Sequence, residues 1–165
     1  MRARRRDGSP AVGARVWWER ASQRDCDLHG VAILRDIDAG RQLISLADPQ
    51  LVPITIAVDV RADETVEIEL VEPEPAMLEV AVVDADGKGF PVARVGVETP
   101  SDMPALDLVD GVLRLDPYTD EYGRRTFTRV EPGPVVVRAS GRGVSGEAKV
   151  NLRPRLRSAV TVVVQ

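Results

Sequence analysis

Side chains that could carry out acid–base or nucleophilic chemistry are scarce in this chain. It contains one histidine, His29, and one cysteine, Cys26. A Ser–His–Asp triad would have to use His29, which lies in a turn-like stretch of sequence. A zinc site needs about four ligands, and one Cys with one His forms no cluster. The sequence therefore predicts no catalytic residue, no metal site and no bound cofactor.

The carboxylates give no stronger signal. Residues 84–87 read DADG, which begins like a calcium-binding loop, but no Glu follows at the spacing that such a loop requires. The same four residues are explained as a hairpin turn. An enzyme with an unrecognised carboxylate pair, for example Asp116 with Asp120, remains an alternative that no further residue supports.

Two aromatic residues are better candidates, because they favour contacts with a partner. Trp17 and Trp18 are adjacent, and adjacent residues of a strand face opposite sides of a sheet. They therefore cannot form one sugar-binding platform together. We expect one in the core and the other at a surface or against a second domain. An exposed Trp would anchor a protein or a carbohydrate.

A basic row lies near the end of the sequence. Arg153, Arg155 and Arg157 alternate with Pro154 and Leu156, so the arginines would project to one side of an extended chain. The row predicts either a contact with an acidic partner or a solubilising edge strand that discourages aggregation.

Charge and hydropathy argue against two other kinds of partner. The formal net charge is −4, so nothing global attracts the chain to nucleic acid. No run approaches the ~20 apolar residues of a membrane helix, and no apolar stretch follows the basic start as in a signal peptide. We expect a cytoplasmic protein if Met1 is the native start, and an extracytoplasmic one if the chain is a processed or cloned fragment.

The elements that position these residues are predicted to be β-strands. Apolar and polar residues alternate in residues 54–60 and 65–70, with Val66, Ile68 and Leu70 directed inward. Aromatic residues make up only 4% of the chain, so the core must be mainly Val, Leu, Ile and Ala. Gly- and Pro-containing turns recur every ~8–12 residues, which is typical of β-sandwiches.

The sequence contains two copies of one pattern. Three ordered segments recur at offsets of 79, 93 and 94 residues: 7–16 with 86–95, 27–40 with 120–133, and 65–70 with 159–164. The change from 79 to 93 indicates an insertion of 14 residues in the second copy, near 99–119. Because loops added to a rigid scaffold often carry specificity, this insertion and its Tyr118 are a further candidate contact surface.

The repeated segments resemble the carboxypeptidase regulatory-like domain. The second copy matches its pattern closely in VVDADGKGFPVARV (82–95) and TDEYGRRTFTRVEPGPVVVRAS (119–140), and the first copy matches more loosely. Together the copies cover almost the whole chain. The resemblance implies a seven-stranded, transthyretin-like and immunoglobulin-like β-sandwich with Greek-key topology. It also implies a family that is generally non-catalytic and serves as an accessory, spacer or adhesive module.

We therefore predict an all-β chain of two tandem sandwiches, at residues 1–72 and 77–165, joined by a Pro-rich linker at 73–76. The predicted function is a non-catalytic structural or protein-interaction module, acting as an accessory subunit or scaffold part of a larger assembly. The alternative is a carbohydrate- or surface-binding module that uses an exposed Trp.

Overall fold

The computed structural model describes residues 1–18, 22–48, 50–99 and 117–165, and every secondary-structure element in these ranges is a β-strand. The prediction of an all-β chain is therefore confirmed. The chain divides into two compact units, Met1–Pro73 and Glu74–Gln165. Most of the predicted insertion, together with Asp116, lies outside the described residues.

The first unit has six strands among its described residues, and they form two sheets. The strands are β1 (Arg2–Arg4), β2 (Arg15–Trp18), β3 (Ser22–Asp25), β4 (Gly40–Ala47), β5 (Ile54–Val60) and β6 (Glu69–Val71). Four of them form an antiparallel sheet in the order β3-β2-β4-β5, whereas β1 and β6 pair in parallel. The core draws on both sheets and includes Ala3, Val16, Trp18, Ile44 and Leu46.

The second unit also has six strands in the part that the structure describes. They are β7 (Ala76–Val83), β8 (Arg94–Glu98), β9 (Arg124–Val130), β10 (Gly133–Gly141), β11 (Val144–Leu152) and β12 (Arg157–Val163). One sheet has the order β12-β7-β9, with β7 and β12 parallel, and the other has the antiparallel order β11-β10-β8. Alternate residues of β7 are fully buried, so one face of this strand lies in the core.

The two units repeat one connectivity. Strands β2-β4-β5 correspond to β8-β10-β11, and the parallel pair β1-β6 corresponds to β7-β12. Individual hydrogen bonds repeat as well: the backbone N–H of Ala3 donates to the carbonyl of Gly30, and that of Val82 donates to Gly123, each at 2.7 Å. The duplicated pattern in the sequence is therefore also present in the backbone hydrogen bonds.

The repeated Asp residues begin the same turn in each unit. One carboxylate oxygen of Asp27 accepts hydrogen bonds from the backbone N–H groups of His29 and Val31, at 2.8 and 2.9 Å. Asp120 accepts the equivalent bonds from Tyr122 and Arg124. The bonds from Val31 and His29 lower the pKa of Asp27, because they stabilise its charged form.

The third residue after the Asp is a glycine in both turns, and two features of the structure require it. Gly30 and Gly123 have φ angles of 71° and 75°, in the left-handed region. A Cβ atom at either position would collide with the backbone carbonyl of Ala3 or Val82. Glycine therefore satisfies both the conformation and the close backbone approach.

Several details differ from the sequence prediction. Ala3 pairs with Leu70, and the equivalent Val82 pairs with Val162. The last strands of the two units, β6 and β12, therefore correspond at an offset of 92 residues and not 94. Val66, which was expected to point inward, is 38% exposed. Six strands are described in each unit where seven were expected, and the Greek-key assignment stays a prediction.

Candidate functional site

The leading strand is much shorter in the first unit than in the second. β1 has three residues and β7 has eight. Arg2 pairs with Val31 as Ala81 pairs with Arg124. Met1 therefore corresponds to Val80, at an offset of 79 residues. The positions equivalent to Ala76–Glu79 would precede Met1, so none of the described residues corresponds to them.

In the second unit, these leading-strand residues hold two neighbouring segments together. Residues 77–79 of β7 pair in parallel with residues 157–159 of β12, and residues 76, 78 and 79 pair antiparallel with residues 130, 127 and 126 of β9. The equivalent neighbours in the first unit are residues 65–67 and 33–37, and neither segment belongs to a strand. They flank the place that a central strand occupies in the second unit, and we call this place the strand slot.

The hydrogen-bond ladder stops at one end of the strand slot. Met1 and Ala32 exchange two backbone hydrogen bonds of 3.0 Å, and the N–H of Arg2 donates to the carbonyl of Ile68 at 2.7 Å. Beyond this point, no strand pairs with residues 33–37 or 65–67 within the described ranges. Such unpaired segments are a template for another strand.

A cleft of about 880 Å³, lined by both apolar and polar residues, opens at the strand slot. Its apolar lining residues include Leu34, Ile37, Ile44, Val58, Val66 and Ile68. Leu34 and Ile37 are only half-buried, whereas their equivalents Phe127 and Val130 are 8% and 1% exposed. Phe127 pairs with Leu78 of β7, whereas none of the described residues pairs with Leu34.

The rim of the cleft is predominantly acidic. Its charged lining residues are Asp36, Asp63, Glu64, Glu67, Glu69, Arg2 and Arg61. Arg61 lies 3.7 Å from Glu64, and Arg4 Nε lies 2.7 Å from Glu69 Oε1, in exposed pairs. Glu67 makes no ion pair among the described residues, so the rim has an unbalanced negative charge close to the slot.

Both tryptophans are buried. Trp18 is 7% exposed and belongs to the core of the first unit. Trp17 is 9% exposed and lies on the opposite face of the sheet, beside the buried Ser45 and Thr55, whose hydroxyls are 2.8 Å apart. The expectation that they face opposite sides is confirmed, whereas an exposed Trp anchor is absent.

The basic row does not form an extended strand. Residues 153–156 form a turn in which Arg155 has a φ of 61°, and β12 begins only at Arg157. Arg155 pairs with Glu74, and Arg157 pairs with Glu79, on the exposed surface. Hydrogen bonding to Glu79 raises the pKa of Arg157. Two of the three arginines are therefore already engaged within the second unit.

Tyr118 lies beside the edge of β8. It forms an isolated antiparallel bridge with Arg94 and is 46% exposed. The rest of the proposed insertion surface, residues 100–116, lies outside the described residues. Tyr118 is thus an accessible aromatic residue, and its role in binding stays a prediction.

Residues with possible chemistry do not converge. His29 is exposed in the turn, and Cys26 is a buried thiol whose pKa burial raises to about 11, helped by the charge of Asp27. Among the described residues, no three His, Cys, Asp or Glu side chains are placed to hold a metal ion. Nor does any helix in these ranges have the length and apolar character to span a membrane.

The sequence marks the leading strand as the weakest match of the first copy, because residues 2–6 read RARRR where the second copy has an apolar strand, but it did not predict the cleft. The signal was the apolar alternation in residues 76–83, for which the first copy supplies only a short basic segment.

No protein-family model matches the chain, and no curated protein matches it. Among solved structures, it is similar to GBS52, the minor pilin in the gram-positive pathogen Streptococcus agalactiae, with 14% identity and a TM-score of 0.40. That match covers 95% of this chain and 84% of the pilin.

Two other solved structures show a similar degree of likeness. The Bacillus anthracis TIE protein is 14% identical, with a TM-score of 0.39, and the match covers 98% of this chain and 33% of that protein. A streptococcal ancillary pilin is 12% identical, with a TM-score of 0.37, and 99% and 61% of the two chains are covered. Likenesses this weak carry no argument about function.

Proposed function

We propose that this chain is a non-catalytic structural module that binds another protein, as an accessory subunit or scaffold part of a larger assembly. The observation that carries the proposal is the strand slot in the first unit. There, two segments that have no strand partner among the described residues flank a cleft with partly exposed apolar side chains. Exposed strand edges and contiguous apolar surface are features of protein-interaction sites.

Apolar side chains at equivalent positions are buried to different extents in the two units. Burying apolar surface contributes about 25 cal/mol per Å², so side chains left half-buried forgo stabilisation that a partner can supply. Leu34 and Ile37 are in this situation, while Phe127 and Val130 are not. A protein that covers the cleft would bury these side chains and complete the backbone hydrogen bonds.

The same proposal includes the domain assignment. We assign both units to tandem carboxypeptidase regulatory-like sandwiches, with a short linker at 73–76. The repeated Asp turn, the close glycine and the common strand connectivity support this assignment. Carbohydrate binding through an exposed Trp is not favoured, because Trp17 and Trp18 are buried.

Affinity capture with the full-length tagged chain tests the function. The bait is compared with two variants after mild cross-linking and mass spectrometry. Val66→Glu places a charge in the cleft lining, whereas Val71→Glu changes a nearby 54% exposed valine of β6 that is outside that lining. We expect a specific partner protein that Val71→Glu retains and Val66→Glu loses. If no specific protein is captured by the folded wild-type bait, the proposal is wrong.

A further inference from the structure

We infer that the second unit binds the carboxylate of a ligand in a small pocket beside β9, with the guanidinium of Arg125 as its anchor. This pocket has a volume of about 330 Å³, and we call it the Arg125 pocket. Its lining residues are Tyr118, Thr119, Asp120, Arg124, Arg125 and Thr126. The inference goes beyond the proposed function, because it assigns a binding site to the second unit, whereas the strand slot lies in the first.

The Arg125 pocket forms where the chain crosses from one sheet of the second unit to the other. Before the turn, Tyr118 forms an isolated bridge with Arg94 of β8. After the turn that Asp120 begins, β9 starts at Arg124 and pairs with β7 in the other sheet. The two arms of the turn therefore diverge, and the pocket lies between them.

Arg125 points between the two sheets and not away from them. It pairs with Val80, which is 1% exposed and faces the core, and directly opposite residues of paired strands share a face. Its guanidinium carbon lies over the Phe127 ring, 5.1 Å from the ring centre. Nε is buried without a hydrogen-bond partner among the described residues, whereas Arg125 as a whole is partly exposed. One end of the guanidinium is therefore desolvated, and the remainder is accessible from the pocket.

No described residue neutralises this cation. Neither Arg124 nor Arg125 forms an ion pair with another described residue. Asp120 lines the same pocket, but one of its carboxylate oxygens accepts the backbone N–H groups of Tyr122 and Arg124 and thereby holds the turn. A partly desolvated and unpaired cation attracts an anion more strongly than a fully hydrated cation does.

The first unit builds the same turn without these polar side chains. At the offset of 93 residues, three apolar residues take the places of Arg124, Arg125 and Thr126: Val31, Ala32 and Ile33. Asp27 and Asp120 accept the same pair of backbone hydrogen bonds, which confirms this correspondence. Ala32 is 1% exposed, so a core position of the first unit carries a guanidinium in the second. The fold of the turn therefore does not require the cation.

Protection of an edge strand is the alternative role for Arg125. An inward charge on such a strand discourages the addition of another strand. That role needs Arg125 alone, whereas Arg124 and Thr126 also replace apolar residues and make the wall of the pocket polar. A buried donor without an acceptor also calls for an explanation, and a ligand that compensates for its cost provides one. The combined change at neighbouring positions favours a binding site.

Charge and geometry select a carboxylate as the bound group. Two arginines and one aspartate line the pocket and leave one net positive charge, which a single carboxylate neutralises. A phosphate group with about two negative charges would exceed this charge and would also face Asp120. Because the guanidinium lies over Phe127, its in-plane N–H groups stay available to the two oxygens of a carboxylate.

An NMR titration of the whole chain with sodium acetate tests the site. Sodium chloride at the same ionic strength is the reference, because it screens charges equally without offering a carboxylate. We expect a saturable shift of the Arg125 Nε–H signal and of the backbone amides of residues 118–120 and 124–126. An equal response to chloride would overturn the inference. Phosphate that binds about tenfold more tightly than acetate would overturn the choice of a carboxylate.

Two alanine variants form a matched pair for this titration. Arg142 also lies over a phenylalanine of the second unit, 5.6 Å from the ring centre of Phe90, but it is outside the Arg125 pocket. We expect Arg125→Ala to weaken acetate binding about tenfold or more without lowering the melting temperature, because Ala32 is its folded equivalent. Arg142→Ala should bind acetate as wild type does. A folded Arg125→Ala chain that binds acetate as tightly as wild type would overturn the inference.

Arg125→Lys separates the shape of the guanidinium from its charge. Lysine keeps the positive charge but lacks the planar fork that matches a carboxylate. We expect acetate binding to weaken about threefold. Unchanged binding would show that a point charge suffices and that the fork of Arg125 is not the anchor.

Two capped pentapeptides distinguish the acidic side chain of a protein from a small free acid. One carries Glu with two Gly residues on each side, and the other carries Gln in its place. If the ligand is a protein side chain, the Glu peptide binds at least as tightly as acetate and the Gln peptide does not bind. Binding of acetate without binding of the Glu peptide assigns the pocket to a small acid.

A last variant tests whether the chain supplies its own carboxylate. Four aspartates that lie outside the described residues are replaced by Asn: Asp102, Asp107, Asp110 and Asp116. We expect acetate to bind this variant as tightly as wild type. If acetate binds the variant and does not bind wild type, an internal aspartate occupies the pocket and the external ligand is overturned.

Discussion

At the scale of single residues, Val92 has a backbone conformation that suits glycine better than valine. Its φ angle is 57°, and its equivalent in the first unit is Gly13, with a φ of 73°. A β-branched residue in the left-handed region costs about 1–2 kcal/mol, which exceeds the entropy lost by introducing glycine. We expect Val92→Gly to stabilise the second unit by roughly 0.5–1 kcal/mol, measured by urea denaturation.

The reverse exchange is the matched control for this prediction. A Cβ atom at Gly13 would meet nothing within 4 Å, so Gly13→Val tests the backbone conformation without a steric collision. It should destabilise the first unit by a similar amount. Equal stability of wild type and Val92→Gly would show that the surrounding structure removes the strain.

Cys26 links stability to alkaline pH. Burial raises its pKa from 9.0 to about 11, so the folded state keeps the proton where the unfolded state has lost it. The contribution of this group to stability is therefore fully present below about pH 9 and is lost as the pH rises towards 11. We expect wild type to lose more stability than Cys26→Ala over this range, measured by urea denaturation at each pH.

The same burial predicts low reactivity of the Cys26 thiol. At pH 8 the native protein should react with a disulfide reagent at least tenfold more slowly than the protein in urea, because the thiolate is the nucleophile. Rapid stoichiometric labelling of the folded chain would contradict both the burial and the raised pKa.

At the scale of strands, hydrogen exchange should distinguish the two units. Residues 157–159 and 126–130 lie beside β7, whereas their equivalents 65–67 and 33–37 have no partner strand among the described residues. We expect the amides of residues 65–67 and 33–37 to exchange much faster than those of 157–159 and 126–130, measured by mass spectrometry of the free chain. Equal protection would mean that the slot is already filled in solution.

The strands that were predictable from sequence have a clear alternation of apolar and polar residues. Residues 54–60 form β5 as expected, and the repeated Asp and Gly residues identified the common turn. β3 was not anticipated, because Ser22–Asp25 is wholly polar and its strand conformation depends on pairing with β2. The local pattern of apolar and polar residues predicts a strand where one face of the strand is buried. It does not predict an edge strand whose two faces are both exposed to solvent.

The arginine row and the cleft show why the residue pattern did not locate the proposed binding surface. The alternating arginines suggested an extended row, but Arg155 adopts a left-handed conformation and pairs with Glu74. The cleft, in contrast, depends on Leu34, Ile37 and Val58, which read as ordinary core residues. Their partial exposure depends on which strands lie beside them, and the pattern of a segment does not by itself specify its neighbours.

At the scale of the whole molecule, the difference in leading-strand length predicts unequal stability of the two units in a chain that begins at Met1. Among the described residues, the first unit has no strand that provides the burial and pairing that Ala76–Glu79 provide in the second. The aromatic residues make this testable without labels. Both tryptophans, Trp17 and Trp18, lie in the first unit, and both tyrosines, Tyr118 and Tyr122, lie in the second.

We expect tryptophan fluorescence to report an unfolding transition at lower urea concentration than the final loss of β-sheet circular dichroism. Buried tryptophans shift their emission to longer wavelength when they become exposed, so the fluorescence change follows the first unit. A graft of residues 74–79 directly before Met1 should move the fluorescence transition to higher urea and leave the later transition in place. Coincident transitions in wild type would instead indicate that the units unfold as one cooperative body, and the short leading strand would then not limit the stability of the first unit on its own.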